Sequence, residues 1–164
     1  MTFDPESFMQ TTVDQPMATE FEICPAGEYQ AMVDDFDSKA FSQIDFTYKQ
    51  GDRAGQPGTM TKFNCPFIIN DDAVKAALGR EKVVCDMQMI VDIGADGGLD
   101  FGPNKNVNLG KLRDAVGQNS AGAWSPSQLR GAGPVMVKVT HNVFKRKDGT
   151  EGKRAEVTRV ARIS

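Results

Sequence analysis

Strict alternation over residues 134–164 constrains this chain more than any other stretch. The segment reads PVMVKVTHNVF, then a polar KRKDGTEGK turn, then RAEVTRVARI, which is the pattern of two antiparallel strands joined by a tight connection. It is also the most basic part of the chain. Lys138, Lys145, Arg146, Lys147, Lys153, Arg154, Arg159 and Arg162 outnumber Asp148, Glu151 and Glu156 by five. Against a formal net charge of −3, that leaves about −8 for everything before it. A basic ribbon on an acidic body points to an anionic partner bound locally rather than by bulk charge.

The remaining composition excludes several function classes. At 164 residues, the simplest organisation is a flexible acidic arm over residues 1–20 and one domain over residues 21–164 that ends in the basic hairpin. Three widely spaced cysteines and a single histidine fit neither a disulfide framework nor a Cys/His metal centre. No secretory signal is read in MTFDPESFMQ, and no apolar run approaches the roughly 20 residues that span a bilayer. The expectation is a cytoplasmic protein away from membranes, with no cofactor and no metal.

The arm carries Asp4, Glu6, Asp14 and Glu20 with no basic residue, and a short helical turn is read around Phe3 to Met9. It reads as a solvated tail, as a protein-docking arm, or as a competitor for a basic groove. After Pro25 and Gly27, Tyr29, Ala31 and Val33 alternate in a first strand. Ile44, Phe46 and Tyr48 share one face of a second. Lys49 and Arg53 fall in a Gly-rich exposed loop. Residues 60–70 form a third strand in which Pro66 predicts an edge or a bulge. Asp71-Asp72 caps a helix stopped by Gly79. Residues 81–93 form the longest alternating strand, and a helix follows at about residues 106–116. Asp34, Asp35 and Asp37, and then Asp92, Asp96 and Asp100, lack the spacing of a calcium site. Strands dominate without regular helix alternation. The predicted fold is therefore mainly β: an OB-fold-like antiparallel barrel of five to six strands with short helical inserts.

No phosphate-binding loop, zincin or nucleophile-elbow motif occurs. Asp148 and the Glu151-x-Lys153 pair resemble half of a metal-dependent nuclease site, but they sit in a turn with no rigid strand-borne acid beside them. An enzyme is not expected, and no catalytic residue is assigned. His141 shares the face of Val135, Val137, Val139 and Val143 and reads as a core residue without a catalytic role. The opposite face carries Met136, Lys138, Thr140, Asn142 and Phe144. A cation beside an amide and an aromatic suits a single-stranded nucleic-acid platform, with charge for phosphate and a ring for base stacking. It equally suits a solvated face with basic residues guarding an edge. The phosphate-contact candidates are Lys138, Lys145, Arg146, Lys147, Lys153, Arg154 and Arg159, extended by Lys49, Arg53 and Lys62. The stacking candidates are Phe144, Tyr48 and Trp124, though a loop tryptophan is also a natural lid on a core.

A Phe-Asp start, the PAGEY turn, DDAVKAALGRE, GGLDFGPNKNVNLGKLRDAVG, an LRG turn and a closing hairpin occur here in that order. This series resembles a family of small bacteriophage early proteins that look like single-stranded-DNA-binding proteins with an OB-fold. The resemblance implies non-enzymatic, sequence-independent binding of single-stranded DNA in phage DNA replication or recombination. Phage or host replication and recombination proteins would then be partners, and a homo-oligomer is possible. The chain departs from the better-known bacterial proteins of this kind by carrying its acidic segment in front and ending in a basic strand. The alternative is a protein-interaction or assembly module on the same barrel that binds no nucleic acid.

Overall fold

A computed structural model describes residues 2–163. Its core is a mixed sheet of six strands: β1 (Gly27–Val33), β2 (Phe41–Thr47), β3 (Pro57–Ile69), β4 (Val84–Val91), β5 (Val135–Lys145) and β6 (Glu151–Ala161). The order is β1-β5-β6-β4-β3-β2, and β1 also pairs with β3, so the hydrogen-bonded path returns to its starting strand. Only β2 lies outside that circuit. Three α-helices, α1 (Pro5–Met9), α2 (Asp72–Leu78) and α3 (Val107–Ala115), and two 3-10 turns at Ser38–Ala40 and Pro126–Leu129 complete the described elements. None is long and apolar enough to cross a membrane.

Inward-facing residues explain why the strands close. Phe63, Cys65, Phe67 and Ile69 of β3 meet Cys85, Met87, Met89 and Val91 of β4, and Val135, Val137 and Val139 of β5 complete the interior. All are buried, and each buried Val, Ile or Phe contributes about 1.5–3 kcal/mol through burial. Asp71 caps α2 by accepting from the Val74 amide at 2.9 Å, and Gly79 ends it in the left-handed region at φ 63°. Asn106, in front of α3, ties the preceding loop down. It donates to the Asp92 and Asp100 carbonyls and accepts from the Asp92 amide at 2.8 Å. The acidic Gly-rich loop is thus a hydrogen-bonded turn beneath a helix.

Four expectations need correction. The sheet is not purely antiparallel, because β4 and β6 run parallel where Asp86 pairs with Glu156. Pro66 marks neither an edge nor a bulge: it lies inside β3, in unbroken register with β4. Its carbonyl accepts from Asp34, so its missing N–H points away from β4, into the gap where β2 hands over to β1. The valine face of β5 is core only as far as Val139, since Val143 is 51% exposed where the hairpin runs beyond the sheet. His141 is therefore exposed rather than core, with its Nε2 2.8 Å from the Cys24 carbonyl.

The hairpin itself hides a parity change. Lys138 pairs with Arg159 but Val139 pairs with Val157, so Thr158 is an extra residue, a β-bulge. Strict alternation sends Arg159 to the side opposite Arg154. The bulge instead puts Arg154, Glu156 and Arg159 on one face while Val157 turns into the core.

Candidate nucleic-acid interface

Cross-strand partners point to the same side of a sheet, so the register defines the outer face residue by residue. Ile44 and Met60 are paired across β2 and β3; Lys62 with Ile90, Asn64 with Gln88 and Pro66 with Asp86 across β3 and β4. Asp86 is opposite Glu156 on β6, and Asn142 with Arg154 and Phe144 with Gly152 follow across β5 and β6. One surface therefore crosses β2, β3, β4, β6 and the far half of β5. On β4 and the middle of β3 it is made of residues whose chain neighbours are buried.

Each end of that surface carries an aromatic ring laid over a glycine and flanked by arginine. At the closing hairpin, a Cβ on Gly152 would stand 2.6 Å from the Phe144 ring, so the absence of a side chain there lets the ring reach over the partner strand. Arg154 and Arg146 hold their guanidinium carbons 5.4 and 5.9 Å from the Phe144 centroid, within cation–π reach. At the β2–β3 connection, a Cβ on Gly58 would stand 2.8 Å from both Phe46 and Tyr48, which pack edge to face at 4.8 Å. Arg53 lies 5.6 Å from the Tyr48 centroid and donates to its hydroxyl at 3.2 Å. Half-buried Lys62 lies on the strands between these ends.

A cleft of about 420 Å³ opens beside Phe144, lined by Ile23, Arg80, Asp86, Gln88, Arg154 and Glu156 among others. Its electrostatics are mixed. Partial desolvation raises the Asp86 carboxyl above its usual range, and Arg154 pulls it back down. Arg154 is also paired with Glu156 at 2.8 Å. The chain entering from the N-terminal segment touches the same region. Glu20 pairs with Arg146 at 3.1 Å, and the Glu22 carbonyl accepts from Arg80 at 3.2 Å. Burial pushes the Cys65 and Cys85 thiols up to about 12, so neither is a nucleophile at neutral pH.

The residues singled out from sequence divide into groups. Phe144, Arg146, Lys153 and Arg154 come together around the cleft, with Lys153 reaching it from the ribbon's other side, where it pairs with Val143. Lys145 and Lys147 are exposed at the hairpin tip. Tyr48 and Arg53 form the opposite cluster, beside exposed Lys49. Lys138 and Arg159 face each other in a separate groove of about 290 Å³ next to Glu28. Trp124 stands apart from all of these. Its ring is covered by Arg113 at 4.2 Å, its Nε1 donates to Gln118 at 2.8 Å, and it packs on the core beside Phe41. Asp148 turns inward to its own loop, accepting from the Thr150 amide and hydroxyl, and these bonds hold its carboxyl below the usual range. Among the described residues, no cluster of His, Cys, Asp and Glu could hold a metal ion.

Phe46, Ile90, Gln88, Asp86 and Arg80 were not visible as site residues from sequence. For Phe46 the signal was present: an aromatic at i and i+2 on one strand, with a glycine available in the next to lie beneath it. For Asp86 and Gln88 it was not, because outward positions of a long alternating strand look like any solvated face. No protein-family model, curated protein or solved structure matches this chain.

Proposed function

We propose that this protein binds single-stranded DNA without sequence preference, across the outer face of an OB-fold-like barrel. The observation that carries the reading is the pair of guanidinium-flanked rings over glycine, Phe144 with Arg146 and Arg154, and Tyr48 and Phe46 with Arg53, at two ends of one sheet face. Stacking surface next to fixed positive charge suits a strand whose every base has a π-face and whose every link has a phosphate. The strand circuit supports the fold assignment. With β2 set aside, the order β1-β3-β4-β6-β5 with one parallel pair matches a five-stranded OB barrel. Such barrels bind oligonucleotides on their second and third strands and the loops flanking them, here β3, β4, the β2–β3 connection and the hairpin tip.

The chain would lie along Lys62 between the two clusters, with Lys145, Lys147 and Lys153 adding phosphate contacts at the hairpin. Binding exchanges the Glu20–Arg146 pair for a phosphate–Arg146 pair. On the resemblance to phage early proteins, the activity would serve phage DNA replication or recombination. The test is fluorescence anisotropy of labelled oligo-dT over a salt series, beside duplex and oligo-U. Affinity should fall linearly in log–log form as salt rises. Phe144→Ala should weaken binding by roughly 1–3 kcal/mol. Absence of binding at low salt, or binding with no salt slope, overturns the proposal.

A further inference from the structure

β2 is the one described strand with a partner on one side only. Its free edge is lightly guarded: between Phe41 and Thr47 there is no proline, lysine or arginine, Asp45 is the single charge, and its pairing with β3 is unbroken by a bulge. Ser42, Gln43, Ile44 and Asp45 are all exposed. Which backbone groups point outward follows from the ladder. The Tyr48 amide donates to the Gln56 carbonyl, so Tyr48 and, at period two, Phe46, Ile44 and Ser42 direct their backbone groups toward β3. The free N–H and C=O groups are those of Gln43, Asp45 and Thr47.

We propose that β2 pairs antiparallel with β2 of a second copy, on a two-fold axis through Ile44. In that register the two Ile44 residues form the central non-hydrogen-bonded pair. Gln43 of each copy then stands opposite Asp45 of the other, and both residues have free backbone groups, so two hydrogen-bonded pairs flank the centre. The Gln43 amide can donate to the facing carboxylate, and no two like charges are opposed. A register centred on Asp45 would oppose the two carboxylates. The contact is isologous, so it closes as a dimer instead of growing into a filament. It makes one sheet of the two molecules and joins their Ile44 faces. It does not depend on what, if anything, that face binds.

Sedimentation velocity without nucleic acid, over a rising protein concentration, tests this. The weight-average mass should climb from 17.9 kDa toward twice that value. Gln43→Pro removes an outward N–H without touching the β3 ladder and should remain monomeric while keeping its circular dichroism. The charge variants test the register. Gln43→Lys, facing Asp45 of the second copy twice per dimer, should tighten association by about tenfold, and Gln43→Asp should weaken it by about as much. A wild-type chain that stays monomeric at every concentration overturns the proposal. So does a folded Gln43→Pro chain that dimerises like wild type, or charge variants that leave association unchanged or reverse the order. An oligo-dT measurement on the monomeric Gln43→Pro chain separates this outcome from the nucleic-acid reading.

Discussion

Asp86 is the residue on which the electrostatics of the face turn. It projects beside Arg154 on the face that carries an aromatic cluster at each end, and partial desolvation raises its carboxyl. A raised folded-state value means the native protein holds this proton more tightly than the unfolded chain does. Its contribution to stability is therefore present at acid pH and is lost as pH rises from the ordinary value of 3.8 through the folded one. Binding of a polyanion shares that sign, since protonation removes a negative charge from the site. Asp86→Asn should therefore tighten oligo-dT binding at neutral pH and flatten its rise as pH falls through the titration of this carboxyl, as read by anisotropy at fixed ionic strength. An unchanged pH profile would remove Asp86 from the interface.

At the scale of elements, the ring-over-glycine motif separates stability from function. Gly152→Ala adds a methyl that would stand 2.6 Å from the Phe144 ring, so the ring must swing away. The displaced atoms are the far end of a side chain, and alanine costs less conformational entropy in a strand than glycine by about 0.5–1 kcal/mol. The thermal midpoint should thus move little, while oligonucleotide affinity falls nearly as far as in Phe144→Ala. Unaltered affinity would show that the ring's pose is immaterial. This motif marks the boundary of what the sequence discloses. Period-two patterns announce each strand, the hairpin's basic charge and the caps of α2, because burial on one side and local hydrogen bonding are written into neighbouring residues. Pairings between distant strands are not written there. The parallel contact at Asp86 and Glu156, the handover that accommodates Pro66, and the bulge that turns Arg159 outward each depend on a partner remote in the chain. His141 and Val143 read as core for a related reason. Alternation reports which side a residue faces, not whether the sheet still has a neighbour there.

For the whole molecule, the circuit of strands separates what must be kept from what can vary. β1 is held on both sides, by β5 through residues 27–31 and by β3 through residues 31–33, so Ala31 sits where the path closes. The charge is partitioned across that frame. The first basic residue is Lys39, and the acids ahead of it reach the hairpin through Glu20 and Arg146. The extra residue in β6 sets how far the frame tolerates changes of length. Deleting Thr158 leaves Arg159 opposite Lys138 and Val157 opposite Val139 in an uninterrupted ladder, with every inward and outward assignment preserved. Deleting Val160 instead takes a valine from opposite Val137: with the bulge kept Ala161 fills its place, and with the bulge closed Arg159 is turned inward there. A one-codon loss at 158 should leave the calorimetric midpoint close to that of the wild type, and the same loss at 160 should lower it. Natural insertions and deletions in this strand would then be confined to the bulge.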